Sequence, residues 1–330
     1  MSKVAATIEN GFCDDSSGGN CPKRIKLAPS HQPSAEENIA KPAPNGCAAN
    51  GLPEKRKGAT ARPAEKAKAV AAENGHREAA GKEAARAPSA AGSPTVRRNQ
   101  DGEVSSGHVS NDDWKSKWER GKTRFHKPQV HGMLKKHFER LTDGKESPRI
   151  LVPLCGKTVD MMWLSEQGCS VVGCEVVELG VQQFFTENQI EYTKEPLDGM
   201  EGHVYKGKDK DITIFCADFF KLSSALIGRF DCVWDRGSLA AINPEDRERY
   251  RDVIVEAIKA DGRYLLDVFE VPHDVFSGPP HSILPEEVKQ LFGGKFDVEQ
   301  VDHVDAMNPW SKSWGVSYFY ENDFILTTKQ

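Results

Sequence analysis

The stretch Arg149-Ile150-Leu151-Val152-Pro153-Leu154-Cys155-Gly156-Lys157-Thr158 decides how the rest of the chain is read. Three consecutive branched aliphatics give a short strand enclosed in apolar surroundings on both faces. Gly156 permits a tight turn in which backbone approaches a ligand, and the helix that follows opens with unpaired N–H groups. Only one glycine is present, so this is not the Gly-x-Gly-x-x-Gly turn of a nicotinamide-binding fold. Taken alone, it is an ordinary strand-to-helix loop.

Roughly twenty residues further on, a second apolar strand ends in Gly173-Cys174-Glu175, where ribose-binding folds place the acid that accepts from the sugar hydroxyls. A carboxylate at the end of an apolar strand is costly to desolvate unless a ligand or a backbone donor meets it. Working outward, the β-branched runs fall at Arg149 to Pro153, Ser170 to Glu175, Asp211 to Cys216, Phe230 to Trp234 and Arg263 to Phe269. Helix-like segments separate them at Met161 to Gln167, Glu178 to Asn188 and Pro244 to Lys259. Strand and helix in alternation predict a parallel α/β sheet covered on both faces. A final pair, near Phe296 to Val304 and Val316 to Thr327, reads as antiparallel with a short connection. In such a fold the ligand lies beyond the carboxyl ends of the strands. The third strand ends in Asp218-Phe219-Phe220, an acid for an exocyclic amine and an apolar cover for a purine. The fourth ends in Trp234-Asp235-Arg236-Gly237. Glycine, acid, acid and a polar end describe a nucleoside pocket that suits S-adenosylmethionine (SAM) better than NAD, because no second phosphate site is visible.

Before about residue 110 the composition changes. Phe12 is the only aromatic there, whereas all six tryptophans and all six tyrosines come later. Residues 1–110 are therefore expected to form a disordered low-complexity tail, and residues 111–330 a single domain. The tail holds 16 Lys and Arg against 12 Asp and Glu, and the domain 28 against 37, an excess of nine acids. An acidic domain is a poor match for a phosphate backbone, so no nucleic acid is expected as partner, and a small molecule is. Two basic clusters, Lys23-Arg24-Ile25-Lys26 and Lys55-Arg56-Lys57, are either solvated linker charge or a nuclear import signal. No apolar run is long enough to span a bilayer. Five cysteines fall in the domain with no Cys-x-x-Cys pair, which suits reduced thiols in the cytoplasm. No metal is expected: His126, His131 and His137 are spaced five and six apart and do not share a helical face.

The chain resembles the thiopurine S-methyltransferase family. The resemblance rests on Trp114-Lys115-Ser116-Lys117-Trp118, Gly121 through His126, Pro153 through Lys157, Val172 through Glu175, Trp234 through Gly237, Ala241 through Pro244, Gly278-Pro279-Pro280 and Lys312 through Gly315. It implies a Rossmann-like, seven-stranded class I methyltransferase sheet, order 3-2-1-4-5-7-6 with the last strand antiparallel, and an amino-terminal lid. It also implies methyl transfer from SAM to the sulfur of a small aromatic or heterocyclic thiol; a monomer is the default expectation for the chain. Carried over by motif, Trp114 and Trp118 line the lid, Leu154 touches the cofactor, Glu175 holds the ribose, and Asp218 and Phe219 flank adenine. Arg236 lies by the methionine portion and the reacting sulfur, and Phe125 faces both cofactor and acceptor. Trp310 stands where members often carry a basic residue, so acceptor identity is the departure.

In-line transfer from a sulfonium needs position more than covalent help, and positioning can supply about 7 to 11 kcal/mol. Arg236 is expected to favour the thiolate, and Asp235 to orient it or accept its proton. The same Asp235-Arg236 pair also reads as a structural ion pair, and Trp114 with Trp118, four apart, as ordinary core aromatics. A nucleic acid base methyltransferase would need an Asn or Asp followed by Pro-Pro and an aromatic after the fourth strand, where Asp235-Arg236-Gly237 stands. A SAM-binding sensor that uses the basic tail as an interaction arm is the alternative outside catalysis.

Overall fold

A computed structural model describes residues 96–329, so the expected tail over residues 1–95, with both basic clusters, lies outside the described residues. The elements run α1 (Asn111–Glu119), α2 (Gly132–Thr142), β1 (Arg149–Val152), α3 (Asp160–Glu166), β2 (Ser170–Glu175), α4 (Glu178–Glu187), β3 (Tyr192–Pro196), β4 (His203–Gly207) and β5 (Ile212–Cys216). They continue with α5 (Ser224–Ile227), β6 (Phe230–Arg236), α6 (Ser238–Ala241), α7 (Arg247–Ala257), β7 (Ile258–Glu270), α8 (Pro285–Phe292), β8 (Phe296–Asp305), α9 (Pro309–Lys312) and β9 (Tyr320–Thr328).

The strands form one sheet in the order β3-β4-β5-β2-β1-β6-β7-β9-β8. β1 pairs in parallel with β2 and β6, β2 with β5, and β6 with β7. β9 runs antiparallel to both β7 and β8. The expectation of seven strands is therefore corrected to nine. The two additional strands are the antiparallel β3–β4 hairpin, which extends the sheet beyond β5. Four of the five residues of β3 are exposed, so it has no buried face to write an alternating pattern into the sequence. The link from β8 to β9 is also longer than expected, running through α9.

Alternate strand residues feed two apolar layers. On one face Ile150, Val171, Trp234 and Leu265 pack with Leu134 and Leu141 of α2, Leu164 of α3 and Phe184 of α4. On the other, Leu151, Val233, Tyr264 and Leu266 meet Tyr250 and Ile254 of α7 and Phe292 of α8. The two layers hold the strands rigid and bring their carboxyl ends to one rim.

Residues 97–110, which composition groups with the tail, pack on the sheet's rim. Arg98 bridges Phe276 in parallel, and Val109 exchanges two hydrogen bonds, 2.9 and 3.1 Å, with the side chain of Asn243. Lys117 reaches back to Asp101 at 2.7 Å and Lys122 to Glu103 at 2.6 Å. Gly107 passes so close that a Cβ there would lie 2.3 Å from the carbonyl of Ser277. Polar pairing holds the segment down, which is why a count of apolar residues overlooks it. Ser110 and Asp113 then form a capping box that starts α1. Among the described residues no helix is long and apolar enough to cross a membrane, and the five described cysteines are free and buried.

Candidate active site

One cavity of about 380 Å³ opens at the carboxyl ends of β1, β2, β5 and β6, a size that suits a small ligand. Trp114, Trp118, Phe125, Leu154, Glu175, Asp218, Phe219 and Arg236 all line it. Asp235 does not.

The turn after β1 is strained toward the cavity. Leu154 carries a φ of 42° and Gly156 a φ of 49°, and a Cβ at Gly156 would meet the His126 ring at 2.3 Å. A non-glycine residue in the left-handed region costs energy that its surroundings must hold, and such strain gathers at ligand sites. Glu175 closes the turn: its Oε2 accepts from Gly156 N at 2.9 Å and its Oε1 from Val177 N at 2.7 Å. Each oxygen keeps a further lone pair for a donor. Burial raises the carboxyl to about 7, and the backbone donors only partly counter it. Asp218 uses Oδ1 to cap the turn at Phe220 N, 3.0 Å away, and Phe219 is buried against Tyr250.

The lid is built from α1 and the loop after it. Trp118 is buried over Gly180 of α4, where a Cβ would lie 2.9 Å from the indole. Phe125 stands edge-on to both indoles, 5.8 Å from Trp114 and 6.0 Å from Trp118. His126 fills the space between Trp118 and Gly156, and burial lowers its pKa to about 3, so it is neutral. Both tryptophans line the cavity, and Trp118 is also buried, against Gly180 of α4.

Asp235, expected to orient the thiol or accept its proton, stands outside the cavity. It is fully buried on the α7 face, where Oδ2 accepts from the hydroxyls of Tyr250 and Tyr264, each at 2.7 Å, and Oδ1 from Ser238 N at 2.9 Å. Neighbours along a strand point to opposite faces; here Asp235 turns into the α7 layer, away from the cavity that Arg236 lines, and Arg236 meets Asp267 rather than Asp235. Arg236 is the one that faces in. Its Nη1 donates to the carbonyl of Phe125 at 2.8 Å, tying β6 to the lid, and its Nε is buried without a partner.

Several cavity residues were not singled out from sequence. Ser238 donates from Oγ to the carbonyl of Pro153 at 2.7 Å and so fixes the turn after β6 to the turn after β1. Asp160 accepts from the indole of Trp234 at 2.9 Å and from His131 N at 2.8 Å. A buried indole requires an acceptor, and that need was the available signal. At the far end, Trp310, Trp314, Phe269 and Phe319 form an aromatic chamber with Pro279 and Pro280 at its mouth. Trp310 and Trp314 meet edge to face at 4.9 Å, and Phe269 and Phe319 stack at 5.3 Å. Trp314 Nε1 is buried without a partner.

A family model described as thiopurine S-methyltransferase (TPMT) matches residues 109–329. The thiopurine S-methyltransferase of Rattus norvegicus is 40% identical over 236 residues, which cover 71% of this chain and 98% of the relative. That of Bos taurus is 40% identical over 219 residues, 66% of this chain and 89% of the relative. Among solved structures, a 1,6-didemethyltoxoflavin-N1-methyltransferase of Burkholderia thailandensis is 17% identical, covers 66% of this chain and 87% of its own, and aligns with a TM-score of 0.45.

Proposed function

Because the chain belongs to the thiopurine S-methyltransferase family, we propose that its cavity takes SAM and a small aromatic or heterocyclic thiol together, and that it methylates the sulfur of the thiol. The observation that carries this reading is continuity: the strand-end cradle of Leu154, Gly156, Glu175 and Asp218 and the aromatic chamber of Trp310 and Trp314 line one cavity, with Arg236 also on its wall. The sheet, with helices on both faces, has the α/β class I methyltransferase architecture. We read β3–β4 as an edge insertion, which leaves seven strands in the order 3-2-1-4-5-7-6.

The residues fit a nucleoside sulfonium. Glu175 has lone pairs left for ribose hydroxyls, Asp218 an oxygen for the adenine amine, and Phe219 an apolar surface that would flank the base. The cofactor supplies, when bound, a methyl group on a positively charged sulfur. Phe125 and the two lid tryptophans would exclude water from a bound sulfonium, which would strengthen the electrostatic interactions around it. Arg236 sets a fixed positive charge in the cavity, held by the carbonyl of Phe125, and favours the thiolate form of an entering thiol. With Asp235 withdrawn into the core, no carboxylate base is assigned to the reaction. A heteroaromatic thiol more acidic than the usual value of about 8.5 needs none.

Calorimetric titration with S-adenosylhomocysteine (SAH) tests the cofactor half. Stoichiometric binding, weakened in Glu175→Ala, is the expected result, and absence of binding by the folded protein would overturn it.

A further inference from the structure

Three elements bring one imidazole and two carboxylates together beside Arg236. His131, at the start of α2, places Nε2 3.4 Å from Oδ2 of Asp267 on β7. Glu321 of β9 adds a carboxylate, and the ligand-capable atoms of His131, Asp267 and Glu321 all lie within 4.8 Å of one another. His131 and Glu321 line the cavity. Asp267 is wholly buried, and neither of its oxygens has a hydrogen-bond partner. The same is true of Asp323, which sits directly opposite Asp267 in the β7–β9 register.

Buried carboxylates without donors are rare, because each loses its hydration and gains nothing in return. The positive charges nearby do not cover the deficit. Arg236 comes no nearer to Asp267 than 3.9 Å. Lys136, whose charge acts on Asp323, is held by Asp302.

We propose that His131, Asp267 and Glu321 form a binding site for a divalent metal ion of the zinc type in the wall of the cavity, with its remaining coordination positions open to the acceptor. One nitrogen and two carboxylate oxygens suit zinc, and manganese next, while the lack of thiolates disfavours softer ions. At bond lengths of about 2.0 to 2.2 Å, tetrahedral ligands stand about 3.4 Å apart, so small side-chain rotations close the site. Asp323 lies behind Asp267 as a further negative charge. The catalytic role rests on the thiol acceptor proposed above. A thiol that coordinates the ion forms a sulfur–metal bond and releases its proton to water, with no change of oxidation state, and arrives at the methyl group as thiolate.

The full-length chain, freed of metal with a chelator, is titrated calorimetrically with Zn²⁺ and with Mn²⁺, and separately with SAH. Wild type is expected to take up Zn²⁺ at this site, and Asp267→Asn or Glu321→Gln to weaken it about a hundredfold with SAH affinity kept. Should Asp267→Asn fail to fold, Glu321→Gln, at a half-buried position, carries the test. A Co²⁺ spectrum without a thiolate-to-metal band separates this site from Cys13, Cys21 and Cys47. The site is refuted if neither ion binds, or if binding survives both substitutions. Loss of SAH binding with metal binding intact would sink the methyltransferase reading and leave the metal site standing.

Discussion

Replacing Asp235 with alanine separates a structural carboxylate from a catalytic one. The change strips the acceptor from two buried tyrosine hydroxyls, Tyr250 and Tyr264, both 2.7 Å away, and from the N–H of Ser238. A buried donor left unpaired costs about 1 to 3 kcal/mol, so the hydroxyls alone account for about 2 to 6. Burial raises the pKa of this carboxyl, so removing it returns part of that cost. A net loss of about 4 kcal/mol is expected, which lowers the melting temperature of a domain this size by about 8 to 16 °C. The conservative control Tyr264→Phe removes one donor and should cost about 1 kcal/mol. Circular dichroism melts give the stability, and steady-state methylation of a heteroaromatic thiol, well below the melt, gives kcat. Removing a working general base typically costs about 100- to 10,000-fold in rate, and the folded variant should lose far less. An unchanged melting temperature with a hundredfold drop in kcat would refute the structural assignment and return Asp235 to the chemistry.

Glu175→Gln should weaken SAH binding by about 1 to 3 kcal/mol. In wild type the affinity should rise with pH up to about 7 and then level, because the ligand-free carboxyl sits at about 7 and hydroxyl donors favour its ionised form. A pH-independent affinity would remove the ribose assignment. Gly180→Ala sets a Cβ 2.9 Å from the Trp118 ring. Overpacking of about 1 to 3 kcal/mol is then partly offset by better helix propensity, so calorimetry should find weaker SAH binding with only a modest change in the melt. Undiminished SAH affinity would mean that the seat of Trp118 does not serve the cofactor. His281 is held at about 4 by burial and by Arg247, against 6.5 when unfolded. The unfolded chain therefore takes up the proton first, and stability is lost as pH falls from about 6.5 toward 4. In urea melts at pH 7 and pH 5, His281→Asn should lose about 2 kcal/mol less than wild type across that interval. Equal losses would contradict the burial of a neutral ring.

Most of the sheet is legible because its central strands are buried on both faces and write unbroken apolar runs, as in Ile150 to Val152 and Val171 to Cys174. Glu175 stands out for the opposite reason, as an acid closing such a run. The β3–β4 hairpin escapes notice because Thr193, Lys194 and Glu195 face solvent and carry no alternation. Residues 97–110 escape because their anchoring is ionic and through backbone. Asp235 and Arg236 are adjacent on a strand, so period two sends them to opposite faces; which of the two meets the cavity depends on how β6 is packed, and a single run of sequence does not encode that. The meeting of His131, Asp267 and Glu321 left no local trace. It depends on the register between β7 and β9 and on how α2 lies across them, neither of which any spacing within one segment encodes.

The account turns on the transfer itself. The full-length protein, incubated with SAM tritiated in its methyl group and a heteroaromatic thiol, should move label onto the acceptor, and mass spectrometry of the product should place the methyl on sulfur. Label that never leaves the cofactor, or that lands on a ring nitrogen with the sulfur untouched, would contradict it.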